Sequence, residues 1–167
     1  HSGLSISGKK TNQTGTGKRD WNITLTGTTF EGGAVSMKTV TADDGSYSFT
    51  GLFAGSYTVS EEAKNGWEAV SPSSYSFDLT ASRSDVNFVN RPVSGLVITG
   101  KKTNETGVAK KGWNITLTGI TLDDTAVALK ATTADDGSYS FTDLLAGSYT
   151  LAEELKAGWQ SVGPASY

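Results

Sequence analysis

Apolar side chains recur at every second position in short runs along this chain. Leu4, Ile6, Gly8 and Lys10 fall on one face, as do Trp21, Ile23 and Leu25, then Tyr47 and Phe49, then Tyr57, Val59 and Glu61, then Val86, Phe88 and Asn90. A period of two sends alternate side chains to opposite faces, so each run reads as a half-buried strand. Asp43-Asp44-Gly45 and Ala54-Gly55-Ser56 separate these runs. The first is the stronger hairpin signal, because Asp-Gly supplies the positive φ that tight turns require. Only Glu61 to Lys64 and its counterpart Glu153 to Lys156 are compatible with a helical turn. About seven short strands with frequent turns predict an antiparallel β-sandwich.

The pattern occurs twice. GKKTN at 8–12 returns at 100–104, WNITLTG at 21–27 returns at 113–119, and TADDGSYSFT at 41–50 returns at 133–142, always 92 residues on. Residues 1–75 laid on 93–167 without a gap give 48 identities. A unit of this length is too long for a solenoid repeat that shares its core with neighbours, so each copy is expected to fold around its own. The reading is all-β: two tandem antiparallel β-sandwich domains, residues 1–91 and 92–167, joined near Pro92, which interrupts strand pairing. The stretch 76–90 has no counterpart after Tyr167, so the second domain is expected to lack its last strand or strands. Opening at His1 without Met, the chain reads as a processed protein or an excised piece.

Composition narrows the function classes. With 20 Ser, 23 Thr and 20 Gly the chain is built for strands and turns. A net charge of −3 offers no basic surface for a phosphate backbone, so nucleic acid is not an expected partner. The absence of Cys and a single His, at position 1, remove thiolate and imidazole catalysis and Cys-ligated zinc. No metal or other cofactor is expected. No apolar run reaches the length of a membrane span.

The parity of the runs places three polar residues on apolar faces: Lys10 on the first strand, Glu61 on a middle strand and Asn90 on the last. Buried Lys and Glu need a reason. The string G-K-K-T-N, W-N-I-T-L-T-G, T-A-D-D-G-S-Y-S-F, L-x-A-G-S-Y-T-V-S-E-E, G-W and V-N-F-V-N resembles the SdrD B-like and Cna B-type repeats of prokaryotic surface proteins. The versions with W-x-I-T-L and G-W look most like those of archaeal surface proteins. The resemblance implies a prealbumin-like or inverse-immunoglobulin sandwich in a stalk or extracellular filament. It also implies that Lys10 and Asn90 can join in an isopeptide bond assisted by Glu61, with Lys102 and Glu153 as the counterparts of the first two in the second copy. Burial fits such chemistry, since desolvation favours a neutral amine and a protonated acid. The same residues also admit an ordinary salt bridge, with Asn90 merely ending a strand. The calcium loop carried by many SdrD-type members is replaced by Thr11 to Gly17, which holds no carboxylate.

Four N-x-T sequons, at Asn12, Asn22, Asn104 and Asn114, are candidate glycosylation sites, and parity turns Asn22 and Asn114 toward solvent. Trp67 and Trp159, each after Gly, are read as rim residues closing the core, with sugar stacking as the alternative. Asp43, Asp44, Asp135 and Asp136 are read as turn formers. The expectation is a non-enzymatic structural or adhesive module of an exported cell-surface protein. Its partners would be neighbouring copies of such repeats, through head-to-tail strand exchange or a filament, and surface glycans. The alternative is a carbohydrate- or ligand-binding accessory module of a larger surface protein or secreted enzyme.

Overall fold

A computed structural model describes residues 3–167, and among them it contains strands and no helix. The chain separates into two compact units, divided between Arg91 and Pro92.

Unit 1 contains β1 (Leu4–Asn12), β2 (Asn22–Thr29), β3 (Ala34–Val40), β4 (Ser46–Leu52), β5 (Gly55–Glu61), β6 (Trp67–Ala69), β7 (Ser74–Leu79) and β8 (Phe88–Pro92). They form two four-stranded sheets, β4-β1-β8-β6 and β3-β2-β5-β7. The alternation that marked the runs is the reason: Ile6, Ile23, Leu25, Phe49, Tyr57, Val59, Leu79 and Phe88 all bury within one cluster while their neighbours face out. The β1–β4, β2–β3, β2–β5 and β5–β7 pairings are antiparallel. β1 and β8, the first and last strands of the unit, run parallel, with Lys10 opposite Phe88 and Asn12 opposite Asn90.

Three local expectations change. Asp43-Asp44-Gly45 does form a turn, closed by Gly45 N donating to Ala42 O at 2.8 Å with Gly45 at φ +81°. It joins β3 to β4, which lie in different sheets, so it is a crossing between layers rather than a hairpin. The same holds for Ala54-Gly55-Ser56, between β4 and β5. The tight hairpin is instead β2–β3, around Phe30 to Gly33. Residues 62–66 are irregular rather than helical, and lead into the short strand β6. The strands the period-two reading had not singled out, β3, β6 and β7, are edge elements that bury little beyond Leu79 of β7.

Unit 2 repeats this plan with β9 (Leu96–Lys101), β10 (Asn114–Thr121), β11 (Ala126–Thr132), β12 (Ser138–Leu144) and β13 (Gly147–Glu153). Its sheets are β12-β9 and β11-β10-β13, over a smaller core of Ile115, Leu117, Phe141 and Leu144.

Candidate functional site

In unit 1 the three polar residues of the apolar faces meet between the two sheets. Lys10 comes from β1, Asn90 from the neighbouring β8, and Glu61 from the end of β5 in the facing sheet, where it pairs with Ile23 of β2. The parallel register of β1 and β8 sets Asn90 opposite Asn12, two residues on from Lys10, and the sandwich fold supplies the acid from the opposite layer. Lys10 is 0% exposed, Asn90 4%, and the Glu61 side chain 2%.

Lys10 Nζ lies 3.8 Å from Glu61 Oε2, donates to Thr11 O at 3.1 Å and sits 4.1 Å from the centroid of the Trp21 ring. The Asn90 side chain hydrogen-bonds Glu61. Two buried acceptors, Glu61 Oε2 and Asn90 Oδ1, have no hydrogen-bond donor. Such orphans are costly when both groups can only accept. A proton on Glu61 Oε2 would change that carboxyl oxygen from acceptor to donor.

The electrostatics lean toward that proton. Burial draws the Lys10 amine down to about 8, against the opposing pull of Glu61 and helped by the charges of Lys18 and Lys64. Burial pushes the Glu61 carboxyl up, opposed by Lys10 and by the Asn90 hydrogen bond. Both shifts favour a neutral amine beside a neutral acid.

The walls of the site are aromatic. Trp21 is buried and pinned by Thr41, whose Oγ1 accepts from Trp21 N at 3.0 Å and donates to Lys18 O at 2.7 Å. Trp67, half-buried, packs edge-on against Trp21 at 5.8 Å, and Lys64 and Lys18 cap the two rings from outside. Tyr47 donates to Val86 O at 2.5 Å and holds the approach to β8, while Phe88 lies against both Tyr47 and Tyr75. Sequence parity had pointed Trp21 and Tyr47 inward. It carried no sign that one roofs the Lys10 amine and the other clamps the last strand.

In unit 2 the counterparts Lys102 and Glu153 form an ion pair at 3.1 Å, with side chains 20% and 17% exposed. Trp113 again flanks the lysine, at 4.5 Å.

The sequon residues are engaged in the fold. Asn12, 3% exposed, accepts through Oδ1 from Thr14 N, Thr14 Oγ1 and Thr16 N, and so shapes the Thr11–Gly17 loop. Asn104 does the same with Thr106 and Val108. Asn22 is half-buried, with its Nδ2 donating to Glu62 Oε2 at 3.0 Å, and Asn114 is held likewise by Glu154 at 2.9 Å. Asp44 and Asp136 accept from the backbone and hydroxyl of Ser46 and Ser138, which is the turn-forming role. Among the described residues no cluster of carboxylates or imidazoles has the arrangement of a metal site.

A family model described as "BOS complex subunit NOMO1-like, second beta sandwich domain" matches residues 1–90. Colossin-A of Dictyostelium discoideum is 31% identical over 157 residues, a match covering 85% of this chain and 1% of that protein. The chain thus spans only about 1% of the length of the curated relative it matches. Among solved structures, the Bacillus anthracis TIE protein superposes with a TM-score of 0.68 at 18% identity, covering 100% of this chain and 31% of that one. The C-terminal fragment of the pilus adhesin SpaC from Lactobacillus rhamnosus GG gives 0.51 at 17% identity, covering 95% and 78%. The Streptococcal ancillary pilin gives 0.50 at 17% identity, covering 99% and 58%. At such identities the likeness is one of fold.

Proposed function

The chain belongs to the family of NOMO1-like second β-sandwich domains, and from that premise we propose that it is a structural repeat module of an exported surface protein, of the SdrD B-like and Cna B-type kind found in archaeal and bacterial stalks. Unit 1 is closed by a bond it makes itself. The observation that carries this reading is the convergence of Lys10, Glu61 and Asn90, all buried, with two orphaned acceptors between them.

A buried Lys-Glu pair by itself is a poor stabiliser, because desolvation offsets much of the attraction. Reaction with Asn90 removes the charge problem. The proton of the Lys10 ammonium passes to Glu61, and the freed lone pair attacks Asn90 Cγ. Glu61 hydrogen-bonds the carboxamide and returns the proton to its nitrogen, the C–N bond to that nitrogen breaks, and ammonia leaves. The attacking nitrogen gives up its second proton to Glu61, so a Lys10–Asn90 amide and a protonated Glu61 remain, and this last proton passes to the departing ammonia or to solvent. The step happens once per chain, so the module is not a turnover enzyme.

The test is intact mass and a peptide map of the purified 167-residue chain. The expected result is a deficit of one ammonia and a cross-linked pair of peptides carrying Lys10 and Asn90. An unmodified mass with free Lys10 refutes the bond and leaves the salt bridge. A sugar-binding role is favoured by one observation, the 48% exposure of Trp159. Loss of polysaccharide binding on Trp159→Ala would support it.

A further inference from the structure

Asp or Asn stands directly before a glycine at Asp44-Gly45, Asn65-Gly66 and Asp136-Gly137. Such a pair can close on itself, because glycine has no Cβ to shield its backbone nitrogen from the side-chain carbonyl before it. The fold treats the three pairs differently. In the two Asp-Gly turns glycine takes the last position and its own N–H closes the turn: Gly45 N donates to Ala42 O at 2.8 Å and Gly137 N to Ala134 O at 2.9 Å. Their carboxylates are also engaged, since Asp44 Oδ1 accepts from Ser46 N at 3.0 Å and Asp136 Oδ1 from Ser138 N at 3.0 Å. Hydrogen bonds from Ser46 and Ser138 hold both carboxyls below their ordinary range, in the ionised form that resists a nucleophile.

Asn65-Gly66 sits one position earlier in its turn. The closing donor there is Trp67 N, to Lys64 O at 3.1 Å, which leaves the glycine nitrogen out of the bond. Among the described residues neither Gly66 N nor the Asn65 carboxamide has a hydrogen-bond partner, and Asn65 is exposed in an irregular segment. A carboxamide carries no charge that would repel attack. Every other Asn precedes a residue with a side chain, such as Ile23 after Asn22 or Phe88 after Asn87. Unit 2 supplies a control within the same molecule: Trp159 N closes its turn on Lys156 O at 3.1 Å, but Ala157 replaces the asparagine.

We propose that Asn65-Gly66 is a site of spontaneous modification, at which the folded chain converts its carboxamide to aspartate and isoaspartate. Gly66 N gives its proton to hydroxide and attacks Asn65 Cγ; the bond from Cγ to Nδ2 breaks, that nitrogen takes a proton from water, and ammonia leaves. The resulting five-membered succinimide then takes up one water. Opening at Cγ restores the original main chain with Asp at position 65, whereas opening at the backbone carbonyl leaves the chain running through Cγ, one carbon longer. Either product places a new negative charge beside Lys64, which already pairs with Glu62 at 3.6 Å and donates to Asp20 O at 2.8 Å. The isoaspartate also lengthens the link from β5, which carries Glu61, to β6, which begins at Trp67. Only water is consumed, and the step is independent of whether Lys10 joins Asn90.

The experiment is incubation of the full 167-residue chain at mildly alkaline pH in heavy-oxygen water, read by peptide mapping and by an isoaspartate-specific methyltransferase. Asn65 is expected to become a heavy-oxygen-labelled carboxyl, with isoaspartate in the same peptide. In the folded chain this should run at least ~10-fold faster than label enters Asp44 or Asp136, the ratio that a barrier difference of about 1.4 kcal/mol gives. Unfolding in denaturant should let both Asp residues begin to label, and Asn65→Ala should leave unit 1 as inert at this turn as unit 2. A Lys10–Asn90 bond also releases one ammonia but takes up no water, so the label tells the two apart. The proposal is overturned if Asn65 stays unlabelled in the folded chain under conditions that convert a free peptide of residues 62–69. Labelling of Asp44 or Asp136 in the folded chain as fast as that of Asn65 overturns the assignment of the difference to turn geometry.

Discussion

Replacing Lys10 and Glu61 together by Met and Leu separates a bonded core from a merely ion-paired one, because the two predict opposite signs. The pair is almost fully buried, and its 3.8 Å separation is too long for a strong charge-assisted hydrogen bond. If it is only a salt bridge, exchange for apolar residues of similar volume is neutral, or stabilises by about 1–4 kcal/mol, since the desolvation of two charges is relieved. If Lys10 is joined to Asn90, the substitution removes a cross-link that closes a loop of about 80 residues. The chain-entropy relation for a loop of that size gives ~4.5 kcal/mol, lost from the constraint on the unfolded state. For a domain of about 90 residues this corresponds to a fall in Tm on the order of 20 °C or more. The assay is thermal unfolding followed by near-UV circular dichroism, alongside Asn90→Ala, which removes the same bond from the other side. Under the bonded reading, adding Asn90→Ala to the double variant costs little more, because the cross-link is already gone. A double variant as stable as the parent, or more so, refutes the reasoning outright.

The pair also predicts a pH dependence in Asn90→Ala, where Lys10 remains an amine. Its folded value of about 8 lies below the ordinary lysine value of 10.5, so the unfolded chain holds more protons between those limits. The stability of this variant should rise from pH 8 toward 10.5, as read by denaturant midpoints, whereas a bonded parent has no such Lys10 contribution. Gly8→Ala should destabilise unit 1 by at least ~2 kcal/mol and reduce cross-linking in the mass assay, because a Cβ there would meet Val86 O at 1.8 Å. Gly100→Ala in unit 2 should cost less, since the nearest atom is the movable Tyr139 hydroxyl at 2.4 Å. Asn12→Ala should cost about 1 kcal/mol in chemical denaturation by removing the side-chain acceptor of Thr14 N and Thr16 N. Chain made in a glycosylating host should carry sugar at Asn22 and Asn114 in preference to Asn12, whose amide is closed inside its loop; glycopeptide mapping that finds Asn12 the more occupied would contradict this.

The sandwich and its polar trio were legible in the chain because parity is a local property that survives folding. Lys10 after Ile6 and Gly8, Glu61 after Tyr57 and Val59, and Asn90 after Val86 and Phe88 each inherit the inward face of their run. What parity cannot carry is which strand lies beside which. The Asp43-Asp44-Gly45 turn looked like a hairpin because its local geometry is that of one, and only the partners of β3 and β4 show it crossing between sheets. β3 was obscured because the alternation of Val35 and Met37 breaks at Thr39 and Val40, on an exposed edge. The run Glu61 to Lys64 has a composition that suits a helix, but Glu62 is drawn to Asn22 and Lys64 to the carbonyl of Asp20, and these contacts hold the segment irregular. The roof of Trp21 over Lys10 depends on the distance between two sheets, which no single strand encodes.

The parallel pairing of the first and last strands of unit 1 sets a timetable for its biogenesis. A chain is made from its N-terminus, at roughly 5–20 residues per second. Lys10 therefore emerges about 80 residues before its neighbour β8 exists, a delay of roughly 4 to 16 s. Throughout that interval one edge of β1 has no local partner, and Lys10 stays in water, ordinary in charge and inert as a nucleophile. Burial, and with it the altered lysine, arrives only when Phe88 and Asn90 dock. Under the proposed Lys10–Asn90 bond the layout would act as a fuse, keeping the amine silent in a nascent chain and arming it only when Asn90 is already alongside.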